Sequence, residues 1–290
     1  MISYIGAATK LFGNLSDANG ESLSFIKASL PLADVRIPFR SYVSTIFLTC
    51  LVTYFSTIVA LFLVLSYFEL SFFLRVSYFI FFPFLAAVLA FGILAFYPYQ
   101  KVSSRKKNIE MNLPFVLTHM GAIAESGVPP YVIFELIGRF KEYGEIAKEM
   151  QKITRGIKEY GSDPLTAVRE VAGRTPSDSL RQVLNGFVST TEAGGNVKTF
   201  LKNAGDQALF EWRIKREKFL QQLSAYAEFY TGLLIAAPLF IIALFAVMSM
   251  IQPQLGGYDI FNLMQTSIYI IVPLLNGVFL LFLKGVEVEI

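Results

Sequence analysis

The chain is poor in the side chains that carry most catalysis. Its 290 residues include one cysteine, Cys50, and one histidine, His119. A single cysteine excludes an intrachain disulfide, and Cys50, inside an apolar run, reads as a small hydrophobe. With one His and one Cys there is little material for a transition-metal site or a Cys/His catalytic pair, so no cofactor is expected. Charge is also scarce. Asp, Glu, Lys and Arg make up 16% of residues, against about 25% in ordinary globular domains. The phosphate-loop pattern G-x-x-x-x-G-K-[ST] is absent, as are G-x-S-x-G and H-E-x-x-H, so neither nucleotide hydrolysis nor serine or zinc hydrolase chemistry is expected of this chain. Residues 2–12 are interrupted by polar side chains and lack a basic lead-in, which makes a weak signal-peptide candidate.

What is abundant is apolar. The set AVILMFWYC supplies 54% of residues, with 28 Phe and 14 Tyr, a composition that points to membrane segments. Four stretches hold no Asp, Glu, Lys, Arg or His: Ser41–Phe68, Val76–Gln100, Phe229–Tyr258 and Ile260–Leu283. Each exceeds the roughly 20 residues needed to cross a bilayer as a helix. The short piece around Glu69 and Arg75 joins the first pair, and Gln252–Asn262, with Pro253, Gly256 and Gly257, joins the second. Both pairs read as transmembrane hairpins.

Basic residues set the expected orientation. The N-terminal segment has Lys10, Lys27, Arg36 and Arg40, residues 101–225 have nineteen Lys and Arg, and Lys284 follows the last span. The two hairpin loops together have only Arg75. Positively charged loops stay in the cytoplasm, so both termini and the middle region are expected there. The resulting division is a cytosolic tail (1–40), a hairpin (41–97), a cytosolic helical domain (98–225), a second hairpin (226–284) and a short cytosolic tail (285–290). The clusters Arg105-Lys106-Lys107 and Lys215-Arg216-Lys218 flank spans two and three as juxtamembrane anchors, with lipid headgroups as partners. Between 98 and 225 the charge is mixed, 19 basic against 14 acidic, which argues against nucleic acid.

The middle region reads as a bundle of about six helices, so the fold class is all-α, a polytopic membrane protein with four spans. Asn112 and Pro114 suit a helix start, and Gly127 an end. Pro129-Pro130 opens Tyr131–Phe140. Tyr143, Ile146, Met150, Ile153, Ile157 and Tyr160 form a heptad-like stripe, read as bundle core with a subunit contact as the alternative. Asp163-Pro164 is a cap followed by Pro at the first helical position, and Thr175-Pro176 with Asp178 repeats the signal. Gly194-Gly195 ends that helix. From Asp206 to Thr231 there is neither Pro nor Gly, so the last helix is expected to run into span three as a rod. His119 reads as a partly buried structural histidine. Span interiors lack ionisable residues, which weakens the alternative of a transporter or channel subunit; Pro238, Pro273 and Asn276 read as kink or packing features.

Taken together, Leu113-Pro114, Ser126-Gly127 with Pro129, Gly161 to Pro164 followed by Ala167, and Glu192-Ala193-Gly194-Gly195, set between membrane segments, resemble the type II secretion system F domain. Relatives of that family include the platform proteins of type IV pili, Tad pili and the archaellum. Thr191 stands where the family often has Gly. The run Ala33–Pro38 before Tyr42 is similar to the lead-in to the first span of archaeal members. The resemblance implies a non-enzymatic membrane platform that binds a hexameric ATPase on the cytosolic side and pilin-like subunits in the membrane. It implies a homodimer, or a heterodimer with a paralogue, since this chain has one such domain. It marks Gly127, Pro129, Gly161, Asp163, Pro164, Glu192, Gly194 and Gly195 as family positions with partner contact as their implied role.

Overall fold

The computed structural model describes residues 2–18, 23–35, 37–66, 72–252, 254–255 and 257–286. Arg36, Glu69, Pro253 and Gly256, invoked above, lie outside them. The chain falls into two compact units, Met1–Leu209 and Phe210–Ile290.

The first unit begins with α1 (Ile2–Ala18) and α2 (Ser24–Leu32), then α3 (Phe39–Leu65) and α4 (Phe72–Glu125). The segment expected as a tail is thus mostly helical. Its buried positions include Ala8, Gly13, Ser16, Ser29 and Ala33 beside Leu23, Ile26 and Leu30, several of them small or polar, so no strong apolar period announces the two helices. Leu23, Ile26 and Leu30 close a small core with Val43 and Ile46 of α3 and Ala95 of α4.

Asn112 and Pro114 do not start a helix; α4 runs unbroken for 54 residues, with Pro83, Pro98 and Pro114 inside it. An internal proline loses one ladder bond and its ring crowds the carbonyl four residues back. All three prolines are buried, so packing against neighbouring helices outweighs that cost. The span therefore passes directly into the helical module.

The module comprises the end of α4, then α5 (Pro130–Arg139), α6 (Glu145–Tyr160), α7 (Pro164–Arg174), α8 (Asp178–Glu192) and the start of α9 (Val197–Phe229). A single 3-10 turn, Lys141–Tyr143, joins α5 to α6. The six helices enclose one core that includes Leu113, Val116, Leu117, Met120, Phe134, Ile137, Ile146, Met150, Ile153, Leu184, Phe187 and Leu201. Burying such side chains favours folding by about 1.5–3 kcal/mol each. Phe134 and Phe187 meet edge to face at 4.9 Å. The stripe on α6 is core at Ile146, Met150 and Ile153, while Tyr160 at its end is 76% exposed. The start of α8 differs from expectation. Thr175 caps the end of α7, and Ser177 is the N-cap, its Oγ accepting from the Leu180 N–H at 3.3 Å.

Two glycines let α4 and α9 approach closely. A Cβ on Gly205 would stand 3.0 Å from the Thr118 Cα, and one on Gly121 would stand 3.2 Å from the Lys202 Cα.

In the second unit the helix continues from α9 through a π-helical stretch, Tyr230–Ala236, into α10 (Ala237–Ile251). A two-residue antiparallel ladder pairs β1 (Gln254–Leu255) with β2 (Tyr258–Asp259), and Gly257 turns with φ +87°. Next come α11 (Ile260–Thr266), a second π-helical stretch (Ser267–Ile271) and α12 (Val272–Val286). Pro238 and Pro273 each stand two residues past a π stretch. The carbonyl that each ring would crowd, on Leu234 or Tyr269, lies within that stretch, which relieves the clash. The Tyr230 hydroxyl donates to Asn276 Oδ1 at 3.1 Å. Ring contacts at Tyr226–Phe282 (5.7 Å) and Tyr230–Phe279 (5.3 Å) complete the hairpin.

Among the described residues four helices are long and apolar enough to cross a membrane: Phe39–Leu65, Arg75–Glu125, Val197–Ile251 and Ile260–Gly285.

Candidate partner interface

The turns singled out in sequence are helix corners, each built from the same physics. The first follows α4. The N–H groups of Ser126 and Gly127 bond back to Ile123 O and Ala124 O at 3.1 and 3.2 Å. Gly127 has φ +80°, a conformation that costs an L side chain. Pro129 is extended and caps α5.

The second corner follows α6. Gly161 is left-handed (φ +64°), and the Ser162 N–H bonds to Gly156 O at 3.1 Å. Asp163 then caps α7, its Oδ2 accepting from the N–H groups of Leu165 and Thr166 at 3.1 and 3.2 Å, with Pro164 at the first helical position.

The third corner follows α8. Gly194 (φ +67°) donates to Thr191 O at 3.1 Å, and Gly195 donates to Thr190 O at 2.8 Å. That pair of bonds is a Schellman ending. Asn196 Oδ1 then accepts from Thr199 N at 3.2 Å and starts α9.

Ion pairs connect the corners. Lys202 of α9 bonds Glu125, just before the first corner, at 2.8 Å. Lys198 reaches to within 3.7 Å of where a Cβ on Gly127 would lie. Arg169 of α7 pairs with Glu192 at the end of α8. Glu125, Arg169, Glu192, Lys198 and Lys202 are all exposed. Together these side chains form an exposed polar surface of mixed sign.

The basic clusters are dispersed. Arg105 does not face headgroups. It is 4% exposed, with Nε bonded to Glu145 Oε2 at 2.7 Å, one terminal nitrogen to Glu149 and the other to the Leu32 carbonyl. A guanidinium with its five donors in a fixed fork suits such a junction. Lys106 bonds Asp178 at 3.4 Å, and Lys107 is exposed. In the second unit Lys215, Arg216 and Lys218 are exposed, with the Arg216 guanidinium 5.7 Å over the Phe219 ring.

His119 is half-buried. Its Nδ1 lies 2.9 Å from the Tyr143 hydroxyl, and its ring packs 5.1 Å from Phe140. Burial pushes the Tyr143 hydroxyl above its ordinary range. Among the described residues no three His, Cys, Asp or Glu are grouped as metal ligands.

Residues 116–245 match the family described as type II secretion system (T2SS), protein F. That stretch is similar to the type II secretion protein F family. The matched stretch begins at Val116, on the buried face of α4, contains all three corners and ends at Phe245 in α10. Similar curated proteins come from archaea. The flagella accessory protein J of Methanococcus voltae is 26% identical over 175 residues, 60% of this chain and 30% of that protein. Its namesake in Methanocaldococcus jannaschii is 26% identical over 178 residues, 61% of this chain and 30% of that one. A third, uncharacterized, protein of Methanocaldococcus jannaschii is 24% identical over 202 residues, 69% of this chain and 34% of its own length. The chain thus spans about a third of the length of the curated relatives it matches. No solved structure matches it.

Several structural residues of the helical module and its junction escape a reading of the sequence. Asn108 caps α6 by accepting from the Glu145 N–H at 2.8 Å, and Gly144 (φ +56°) leaves the space for it, since a Cβ there would stand 2.5 Å from Asn108 Oδ1. The Arg105 junction joins residues 40 or more apart in sequence, and no local pattern announces it. Gly121 and Gly205 do leave a signal, a glycine interrupting a helical pattern.

Proposed function

We propose that this chain serves as the non-enzymatic membrane platform of a type IV pilus-like machine, whether pilus, archaellum-like filament or secretion pseudopilus. In this reading the module lies in the cytosol with both termini, the charge distribution following the positive-inside pattern. A hexameric ATPase docks on the corner surface formed by Gly127–Pro129, Gly161–Pro164 and Glu192–Gly195. Its motion passes to pilin-like subunits held by the spans in the cytoplasmic membrane. A second copy, or a paralogue, completes the platform.

The observation that supports this reading best is that α4 is one helix from the first hairpin into the F domain. A displacement of the module would be felt in the span, because an unbroken helix resists bending. The relatives named for accessory roles in flagella point to the same class of machine.

The test is co-purification of the full chain with candidate secretion-type ATPases. Wild type should retain the ATPase. Arg169→Glu, which reverses one charge of the corner surface, should reduce capture at least tenfold while expression and membrane insertion stay normal. Equal capture by both would remove the corner surface from the docking role. Impermeant labelling of cysteines placed at Lys148 or Arg169 should fail in intact cells and succeed after lysis; labelling from outside would overturn the orientation.

A further inference from the structure

The N-terminal helices pack at a defined height on the first hairpin. Three contacts set α1 against α3. The Tyr4 hydroxyl lies 3.2 Å from Thr49 Oγ1, the Phe12 ring packs 6.3 Å from Phe47, and Ser16 Oγ donates to Arg40 O at 3.3 Å beside an Asp17–Arg40 ion pair of 3.3 Å. Positions rise along α1 as they fall along α3, so the helices are antiparallel. The Ser16 end lies beside the start of α3, and the Tyr4 end lies further along the span.

The membrane boundary can be placed on the same helices. Counting back roughly 20 residues from Leu65, as a hydrocarbon crossing requires, brings the boundary to about residue 45 of α3. Counting about 20 forward from Val76 on α4 reaches about residue 96. The two estimates agree in space, because the Tyr42 hydroxyl donates to Leu94 O at 2.9 Å. Tyr42, Tyr97 and Tyr99 then form the aromatic level expected at an interface. The Tyr4–Thr49 contact lies about one helical turn inside this boundary, and Arg40 with Asp17 lies outside it. Helix α2 sits at the same height, since Leu23, Ile26 and Leu30 pack on Val43, Ile46 and Ala95.

The outward side chains match that depth. Tyr4 is 41% exposed, Leu11 68% and Phe25 47%, with Lys10 and Lys27 exposed among them. Apolar side chains held at a hydrocarbon boundary, beside lysines long enough to extend to headgroups, suit contact with lipid.

We infer that α1 and α2 are bedded in the bilayer, in the leaflet on the module's side, with Tyr4, Leu11 and Phe25 against acyl chains and Lys10 and Lys27 directed to anionic headgroups. Together they form a lipid-contacting collar around the inner end of the first hairpin. This rests on the reading of α3 and α4 as membrane spans.

The experiment uses the full chain in a Cys50→Ala background, reconstituted in vesicles of zwitterionic and anionic phospholipid. Nitroxide labels go on Leu11→Cys and, separately, Phe25→Cys. Phe62→Cys, 66% exposed on α3, and Tyr160→Cys, 76% exposed at the end of α6, serve as references. Collision with oxygen reports acyl chains, and collision with a water-soluble nickel chelate reports solvent. The oxygen-to-nickel ratio at Leu11→Cys and Phe25→Cys should lie nearer that of Phe62→Cys than that of Tyr160→Cys. A high nickel signal at both would place the helices in water and overturn the inference. Low collision with both agents would mean that protein, such as a second copy, covers the face, which also overturns it. A water-like signal at Phe62→Cys itself would instead overturn the membrane-span reading.

Discussion

Arg105 and Glu149 form an ion pair removed from water, their side chains 5% and 1% exposed. Lys152 also bonds Glu149 at 3.1 Å and reaches Asp34 at 3.0 Å. The pair thus joins the stretch after α2, the long helix α4 and the module helix α6. Removing one partner of a buried pair costs about 3–5 kcal/mol where it leaves an uncompensated charge, and less here because Lys152 still bonds Glu149, whereas replacing both with apolar residues of similar volume is milder again. Arg105→Met should therefore lower the apparent melting temperature of the purified protein markedly, and Arg105→Met with Glu149→Leu should recover much of the loss. Glu149→Gln should cost less than Arg105→Met, because Arg105 keeps Glu145. Equal melting temperatures for the single Arg105 variant and the double variant would show that the pair does not hold the junction.

Glycine substitutions should separate by environment. A Cβ on Gly205 meets the backbone of Thr118 at 3.0 Å, while one on Gly173, inside α7, meets nothing within 4 Å. Gly173→Ala should stabilise by up to about 1 kcal/mol through helix propensity. Gly205→Ala should destabilise by about 1–3 kcal/mol, the range for overpacking, because α4 and α9 must separate. Thermal unfolding of the two variants checks the opposite signs.

The cap of α7 is a third target. Asp163→Ala should cost about 0.5–2 kcal/mol, and Asp163→Asn much less, because Asn also caps well. Chemical denaturation of the two variants reads the difference. If Asn and Ala were equally harmful, the carboxylate would be acting through charge rather than as a cap.

The outline of the protein was legible because charge is a coarse signal. Four charge-free runs predict the spans, and glycine and proline predict the three corners, since left-handed glycines and caps act locally. Pro114 misleads because an internal proline and a first-turn proline look alike in sequence; packing decides between them. Helices α1 and α2 leave little trace in the sequence, because positions such as Ala8 and Ser16 are buried by neighbours without being strongly apolar. In sequence Arg105 is indistinguishable from its basic neighbours, because its partners Glu145 and Glu149 meet it only after the chain has folded back through α5.

The same network predicts a response to acid. Burial alone would raise the Glu145 carboxyl, but hydrogen bonds from Lys148 and Arg105 outweigh it and hold it below the usual carboxylate range. Glu135 is likewise held low, by Lys158 first and then by Arg139. A carboxylate with a lowered folded pKa contributes stability that is present above its unfolded value, about 4.3, and is lost as pH falls through the folded one. Denaturation midpoints should therefore be insensitive to these groups from neutral pH down to about 5 and should fall below about 4. Glu145→Gln should flatten that acid limb. An unchanged limb in this variant would assign the acid response to other groups.

The last prediction concerns the helix that runs from Val197 to Ile251. If α9 carries motion from the ATPase into span three, its stiffness matters more than its surface chemistry. Ser224→Gly with Ala225→Gly should soften it. Each glycine costs an interior helix position about 0.5–1 kcal/mol relative to better helix formers. That is small against insertion of an apolar span, so the variant should reach the membrane at wild-type levels and still capture the ATPase, while filament assembly should fall at least tenfold. Ser224→Ala with Ala225→Leu, which keeps strong helix formers and changes the surface, should assemble normally. Full assembly by the double-glycine variant would show that force does not pass along α9, and would leave α4 as the route into the membrane.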